Sequence, residues 1–173
     1  KTVLLKTLGL AALLARLGVP VPAASGARVD FFERVVADIG DAQSLEEGLS
    51  SFSGHLLACD ATLRLSARAP RPPSMLVLFD ELDGGTDPAQ GAALSQAIVE
   101  ALLDDASAHE GGASASHTRI AITTHHGRLK RYALHEPRLR VAAMEIGDDG
   151  APTFRLLWGA VGESHALAAA QRA

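Results

Sequence analysis

The sequence predicts an α/β domain with a largely parallel sheet flanked by helices and followed by a C-terminal β-hairpin. Short, unbroken apolar runs at residues 75–79 and 119–124 are typical of strands buried on both faces of a parallel sheet. Segments with apolar residues at helical spacing alternate with these runs, and a glycine-bounded turn at residues 147–150 indicates the hairpin. The 173 residues suit a single domain, residues 1–173, with a sizeable core.

Residues 1–17 predict the first helix, because they are strong helix formers and Gly18 follows them as a stop signal. The same stretch could pass for a secretory signal over residues 1–24, but Lys6 and Arg16 bracket its apolar run and favour the helix. The absence of an initiator methionine favours an internal piece of a longer protein. The predicted apolar stripe consists of Leu4, Leu5, Leu8, Ala11, Ala12 and Ala15.

The next segments predict a strand region and a second helix. Residues 29–36 are rich in Phe and Val and predict one or two strands, and residues 38–44 form a polar turn. Residues 50–65 then predict a helix with Ser50 or Ser51 as its N-cap. Its expected core contacts are Leu56, Leu57 and Leu63.

Residues 87–103 give the clearest helical pattern, with Asp87 as a cap and Pro88 in the first turn. Beyond the strand at 119–124, residues 141–146 and 153–158 predict the two arms of the hairpin. A last helix is expected to begin at Gly162-Glu163-Ser164. The residues that run along the clearest helix are Ala92, Ala93, Ser95, Gln96, Ile98, Val99 and Leu102.

Two adjacent carboxylates, Asp80 and Glu81, end the apolar run at 75–79 and precede a glycine-rich turn. Open α/β sheets bind ligands at the carboxyl ends of their strands, so this is the pattern of a Walker B strand. A core strand that ends in solvated acids is the alternative interpretation. The opening dipeptide Lys1-Thr2 matches the end of a Walker A loop, where the lysine reaches phosphates at a helix N-terminus.

Composition excludes several classes of protein. The net charge of −4 gives no global reason to expect a nucleic-acid surface. The one cysteine, Cys59, excludes an internal disulfide, fits a reducing, cytoplasmic compartment and is expected to be a buried apolar side chain. No apolar run approaches the ~18 residues that a membrane span requires, so no membrane partner is expected. With aromatic residues at 4%, the core must consist mainly of Ala, Leu and Val.

The chain resembles the ATPase domain of the MutS family, a branch of the ABC-type P-loop ATPases, and is most similar to the second bacterial branch. The matching motifs occur in the family's order and cover nearly the whole chain. They are KTVLLKTLGL (1–10), DIGDAQSLEEGLSSF (38–52), LVLFDELDGGTDP (76–88), TTHHGRLK (123–130) and PTFRLLWG (152–159).

This resemblance implies an ABC-type P-loop NTPase fold whose first strand and glycine loop lie outside the sequence. It also implies roles for single residues. Lys1, Thr2, Ser50 and Ser51 would bind ATP, and Thr2 and Asp80 would hold Mg²⁺. Glu81 would polarise the attacking water, Gln43 would order that water and the metal, and His125 would contact the γ-phosphate. These roles suit phosphoryl transfer, in which positioning and charge stabilisation supply most of the catalysis.

The implied function is Mg²⁺-dependent ATP hydrolysis at two composite sites of a homodimer. The segment Ser50-Ser51-Phe52 would reach the partner's nucleotide, and residues 84–87 would lie at the dimer contact. The branch is associated with suppressing recombination, which implies branched or mismatched DNA as a partner, and with stalled ribosomes. It often carries an Smr nuclease domain, which would lie outside this chain.

Departures from the family pattern keep alternatives open. Without the glycine loop, weak nucleotide binding is expected of the fragment itself, which would then be a nucleotide-independent dimerisation module. Another ABC-type genome-maintenance ATPase would carry an S-G-G signature that residues 50–52 lack. Asp83 replaces a common glycine, and Val161 replaces a proline. His125-His126 could suggest a metal, but no carboxylate or cysteine stands at ligand spacing.

Overall fold

The computed structural model describes residues 1–40, 51–68, 73–82, 88–108, 117–147 and 149–161. The chain divides into two compact units, Lys1–Thr124 and His125–Ala173, which are considered separately below.

The first unit is an α/β arrangement with a parallel three-stranded sheet in the order β1-β2-β3. The prediction of an α/β fold with a parallel sheet is therefore confirmed. Its elements are α1 (Thr2–Arg16), β1 (Arg34–Asp38), α2 (Ser51–Arg68), β2 (Met75–Phe79), α3 (Pro88–Ala108) and β3 (Thr118–Ile122).

Strand β2 is the centre of the sheet, and all five of its residues are buried. It pairs in parallel with β1 on one side and β3 on the other, with Phe79 opposite both Asp38 and Ile122. The three strands therefore end at the same level, and the residues that follow them meet at one edge of the sheet.

Helix α1 covers one face of this sheet. Leu5 and Ala12 of the helix form a buried cluster with Leu76 and Leu78 of β2. The helix approaches closely because Gly9 faces the strand: a Cβ atom at this position would lie 3.0 Å from Leu78 Cδ1. The helical prediction for residues 1–17 is confirmed, although Leu8 of the predicted stripe is exposed.

Two of the three predicted core contacts of α2 are wrong, whereas the third, Leu63, is half-buried. Leu56 and Leu57 are exposed, whereas His55, Cys59 and Thr62 are buried. These three residues have helical spacing, so they form one face, and the two polar ones are hydrogen-bonded: His55 contacts Asp38, and the Thr62 hydroxyl donates to the Ala58 carbonyl. Burial raises the pKa of the Cys59 thiol, as expected of a buried apolar-type side chain.

The first strand begins and ends later in the chain than the predicted range, residues 29–36. It begins at Arg34 because its partner begins at Met75, and the N–H groups of Glu33 and Arg34 both donate to the Ser74 carbonyl. Phe32, just before the strand, is buried against α1. Asp38, predicted within the polar turn, is the last residue of β1.

The second unit contains α4 (Gly127–His135) and the antiparallel pair β4 (Ala142–Ile146) and β5 (Pro152–Trp158), which confirms the predicted hairpin. The register shifts between Met144 and Ile146, and Phe154, opposite this shift, has a positive φ of 62°. Helix α4 was not predicted as an element of its own.

Several predicted features lie outside the described residues, among them the Asp87 cap, Asp83, the turn at 84–87 and the last helix from Gly162. No helix in the part of the chain that the structure describes is long and apolar enough to cross a membrane.

Candidate functional site

The carboxyl ends of the three parallel strands bring polar residues to one edge of the sheet. The backbone ladder continues one residue beyond the strands, because the N–H of Asp80 donates to the Asp38 carbonyl (2.9 Å) and that of Thr123 to the Phe79 carbonyl (3.0 Å). The backbone positions of Asp80 and Thr123 are therefore fixed by the sheet rather than by loops.

Asp80 is a buried carboxylate with a defined partner. Its side chain accepts a hydrogen bond from the Thr123 hydroxyl, and each of the two residues is 8% exposed. A buried carboxylate requires such donors, because burial without them disfavours its charged form. Thr123 was predicted only as part of the strand at 119–124. The available signal was a hydroxyl at the end of a strand that neighbours the acid-bearing strand.

Glu81 differs from its neighbour in exposure and backbone conformation. Its side chain is exposed, and its φ of 48° lies in the left-handed region, which costs a non-glycine residue about 1–3 kcal/mol. Its N–H donates to the Thr123 hydroxyl oxygen (3.1 Å). Since such conformations cluster at functional sites, the strain is consistent with a role for this residue.

The chain beyond Glu81 is held from the other side by α3. The Ser95 hydroxyl, which is fully buried, donates to the carbonyl of Leu82 at 3.1 Å, and Leu82 itself is fully buried. Residues 80–82 are thus tied to β1, β3 and α3.

Lys1 and Thr2 lie at the N-terminus of α1, Lys1 as the N-cap and Thr2 as the first helical residue. The Lys1 ammonium Nζ donates to the Thr124 carbonyl at 2.9 Å. Because Thr124 follows Thr123 directly, this contact brings the lysine to the same edge as Asp80. Helix N-termini favour anions, so a positive charge and a helix end lie together here.

A largely buried contact between a histidine and an aspartate lies at the end of β1. His55 Nδ1, on the first turns of α2, contacts Asp38 Oδ2 at 2.6 Å, and the two side chains are 7% and 17% exposed. The pair joins the start of α2 to the sheet edge, next to the strand that carries Asp80. Neither residue was predicted to contribute to the site.

The remaining predicted site residues are Gln43, Ser50, Ser51 and His125. Gln43 and Ser50 lie outside the described residues, and Ser51 is described only as the first residue of α2. His125 belongs to the second unit, where it is exposed, two residues before α4. Its neighbour His126 caps that helix by accepting a hydrogen bond from the Arg128 N–H.

The donor set at the edge suits a hard cation held jointly with a ligand. Among the described residues, no group of three or more His, Cys, Asp or Glu side chains could hold a metal ion by itself. Mg²⁺ usually keeps several waters and binds through one or two carboxylates plus substrate phosphates, which is what a single buried aspartate could support.

These features define a class of protein. A parallel α/β sheet whose buried central strand ends in Asp-Glu, beside a lysine at a helix N-terminus, is consistent with a P-loop ATPase-type domain. Comparison with known families is more specific. The chain belongs to the MutS domain V family, whose profile matches residues 1–173, and it is a MutS2-like ATPase domain.

Similar proteins include the endonuclease MutS2 of Fusobacterium nucleatum subsp. nucleatum, with 43% identity over 173 residues, and that of Pelotomaculum thermopropionicum, with 44% over 173 residues. The endonuclease MutS2 of Synechocystis sp. is 40% identical over 187 residues. Each comparison covers 99% of this chain but only 20–21% of the relative. The chain therefore spans about one fifth of the length of these proteins. The predicted resemblance to the MutS family is confirmed.

Proposed function

We propose that this chain hydrolyses ATP with Mg²⁺, as the nucleotide-binding domain of a longer MutS-type protein. The observation that carries the proposal is the sheet edge of the first unit. Buried Asp80 and exposed Glu81 follow the central strand there, and Lys1 donates a hydrogen bond to the Thr124 carbonyl at the same edge. Family membership supports the same chemistry.

The two acids lie in different environments, and this difference suits them to different roles. Asp80, buried and hydrogen-bonded to Thr123, is held in one orientation and suits a metal ligand. Glu81, which is exposed, suits a base that orients and polarises water. When bound, Mg²⁺ would neutralise phosphate charge and orient the transferred group.

The N-terminal residues would bind the nucleotide itself. Lys1 would exchange its contact with the Thr124 carbonyl for the phosphates, since a lysine ammonium is a compact donor to such groups. The Thr2 hydroxyl would be the second metal ligand, and the N–H groups of α1 would face the phosphate charge. His125 would sense the γ-phosphate, and Gln43 would help to order water and metal.

The whole protein would act as a homodimer in which Ser50 and Ser51 of one copy complete the nucleotide site of the other. We infer that the ATPase cycle is coupled to binding of branched or mismatched DNA, and that stalled ribosomes are a further target. The relatives are named endonucleases. Since the chain spans about one fifth of them, nuclease activity is assigned to segments outside it.

The test is Glu81→Gln in the natural-length protein. Loss of the catalytic base should reduce kcat by roughly 10²–10⁴-fold while ATP binding is retained, because the substitution removes the base without changing its size. Steady-state phosphate release and equilibrium ATP binding measure the two effects.

Glu100→Gln is the matched control. Glu100 accepts a hydrogen bond from Gln96 on α3 and belongs to no part of the proposed site. Its substitution should leave turnover unchanged. Equal turnover in the wild type and Glu81→Gln would refute the catalytic assignment.

A further inference from the structure

Thr123 makes more contacts at the site edge than any predicted role requires. Its N–H donates to the Phe79 carbonyl, its hydroxyl donates to Asp80 Oδ1, and its hydroxyl oxygen accepts the N–H of Glu81. One buried side chain thus contacts both acids that end the central strand.

The hydroxyl is chemically matched to this double task. A threonine hydroxyl can donate one hydrogen bond and accept others through its lone pairs. It therefore donates to the carboxylate and accepts from the amide N–H at the same time. A bond to a charged carboxylate is stronger than a neutral one. A carboxylate also offers about four acceptor positions, so the bond to Oδ1 leaves capacity for further ligands.

The contact with Glu81 has a separate consequence. A left-handed φ at a non-glycine residue persists only where the surroundings hold it, and at Glu81 the backbone N–H donates to the Thr123 hydroxyl oxygen. The hydroxyl therefore helps to hold the backbone conformation from which the Glu81 side chain leaves the strand.

We propose that Thr123 is a positioning residue that uses one hydroxyl to set both the orientation of the Asp80 carboxylate and the backbone conformation of Glu81. It would thereby couple the metal ligand to the residue that polarises water. This inference rests on the proposed function, and it assigns to the residue after β3 a role that neither the motifs nor the family relation specifies.

A purely structural role predicts different behaviour. Thr62 on α2 is also buried, and its hydroxyl donates to the Ala58 carbonyl of the same helix rather than to either acid. If Thr123 only stabilised the fold, removal of either hydroxyl would lower stability and leave the chemistry unchanged.

The experiment compares Thr123→Val, Thr123→Ser and the control Thr62→Val in the natural-length protein. Valine keeps the shape and removes the hydroxyl, and serine restores the hydroxyl. Thr123→Val should reduce kcat by roughly 10–100-fold, the range found when a partner of a metal ligand is removed. Thr123→Ser should recover most of this loss, and Thr62→Val should retain full kcat.

A second readout does not depend on turnover. Mn²⁺ binding in the presence of ADP, followed by electron paramagnetic resonance, should weaken by roughly 10–100-fold in Thr123→Val and stay unchanged in Thr62→Val. Hydrogen exchange of the Glu81 amide should accelerate only in the Thr123 variant. If Thr123→Val does not fold, Thr123→Ala carries the same comparison.

The outcomes separate this inference from the function on which it rests. An active wild type with unchanged kcat and Mn²⁺ affinity in Thr123→Val overturns the positioning role alone. A wild type that neither hydrolyses ATP nor binds Mn²⁺ with ADP overturns both. Equal losses in Thr123→Val and Thr123→Ser also overturn the role, because the hydroxyl would then not be the cause.

Discussion

Strands β2 and β5 lie in opposite environments. All five residues of β2 are buried, whereas in β5 only Leu156 is half-buried and the other residues are exposed. Strand β2 pairs on both sides and is covered by α1, whereas the pairing described for β5 is with β4. The two strands therefore differ both in the number of neighbouring elements and in sequence, because β2 is wholly apolar and β5 also contains Thr153 and Arg155.

The largest expected effect contrasts one leucine from each strand. Leu78→Ala in β2 should lower the free energy of unfolding by about 2–5 kcal/mol, because it leaves a cavity in a fully buried position. Leu157→Ala in β5, where the side chain is 42% exposed, should cost clearly less. Urea-induced unfolding measures both. Equal losses would show that β5 is as deeply packed as β2.

The same contrast between burial and exposure exists on one helix. The pairs His55–Asp38 and Arg64–Asp60 both involve α2 and both have N–O distances of 2.6 Å. The side chains of His55 and Asp38 are 7% and 17% exposed, whereas those of Arg64 and Asp60 are 60% and 54% exposed. His55→Ala should cost about 1–3 kcal/mol, because it leaves a largely buried carboxylate without its partner. Arg64→Ala should change stability too little to measure.

Double-mutant cycles that add Asp38→Asn and Asp60→Asn measure the interaction energy within each pair, separately from the other effects of each substitution. The coupling should be confined to the buried pair. Coupling of the same size in both pairs would mean that distance, rather than desolvation, decides the strength of these contacts.

The smallest expected effect concerns the pair Glu136–Arg138 in the second unit, whose side chains are 13% and 37% exposed. Hydrogen bonds from the Arg138 side chain and N–H lower the pKa of Glu136 from its ordinary 4.5 to about 2. Because the folded-state pKa is depressed, this pair stabilises the fold above pH 4.5, and the contribution is lost as the pH falls towards 2. An NMR titration of the Glu136 carboxyl carbon measures this pKa directly. In Arg138→Gln it should return towards 4.5, and a pKa that stays low would contradict the assignment.

Much of the fold follows from local sequence patterns. The apolar run of β2, the helical spacing in α1 and the glycine-bounded turn of the hairpin each specify their element without reference to the rest of the chain. The contact face of α2 did not follow, because Leu56 and Leu57 are more apolar than His55 and Thr62, and only the partners of the polar residues make their burial favourable.

The sequence by itself determined that two adjacent acids follow a buried strand and that a lysine opens a helix, since both are statements about neighbours in the chain. Only the tertiary structure decided which acid is buried, that Lys1 reaches Thr124, and that the Thr123 hydroxyl joins Asp80 to Glu81. The physical reason is the parallel register. Residues more than 40 positions apart meet at one edge because their strands end at the same level, and no local pattern encodes that meeting.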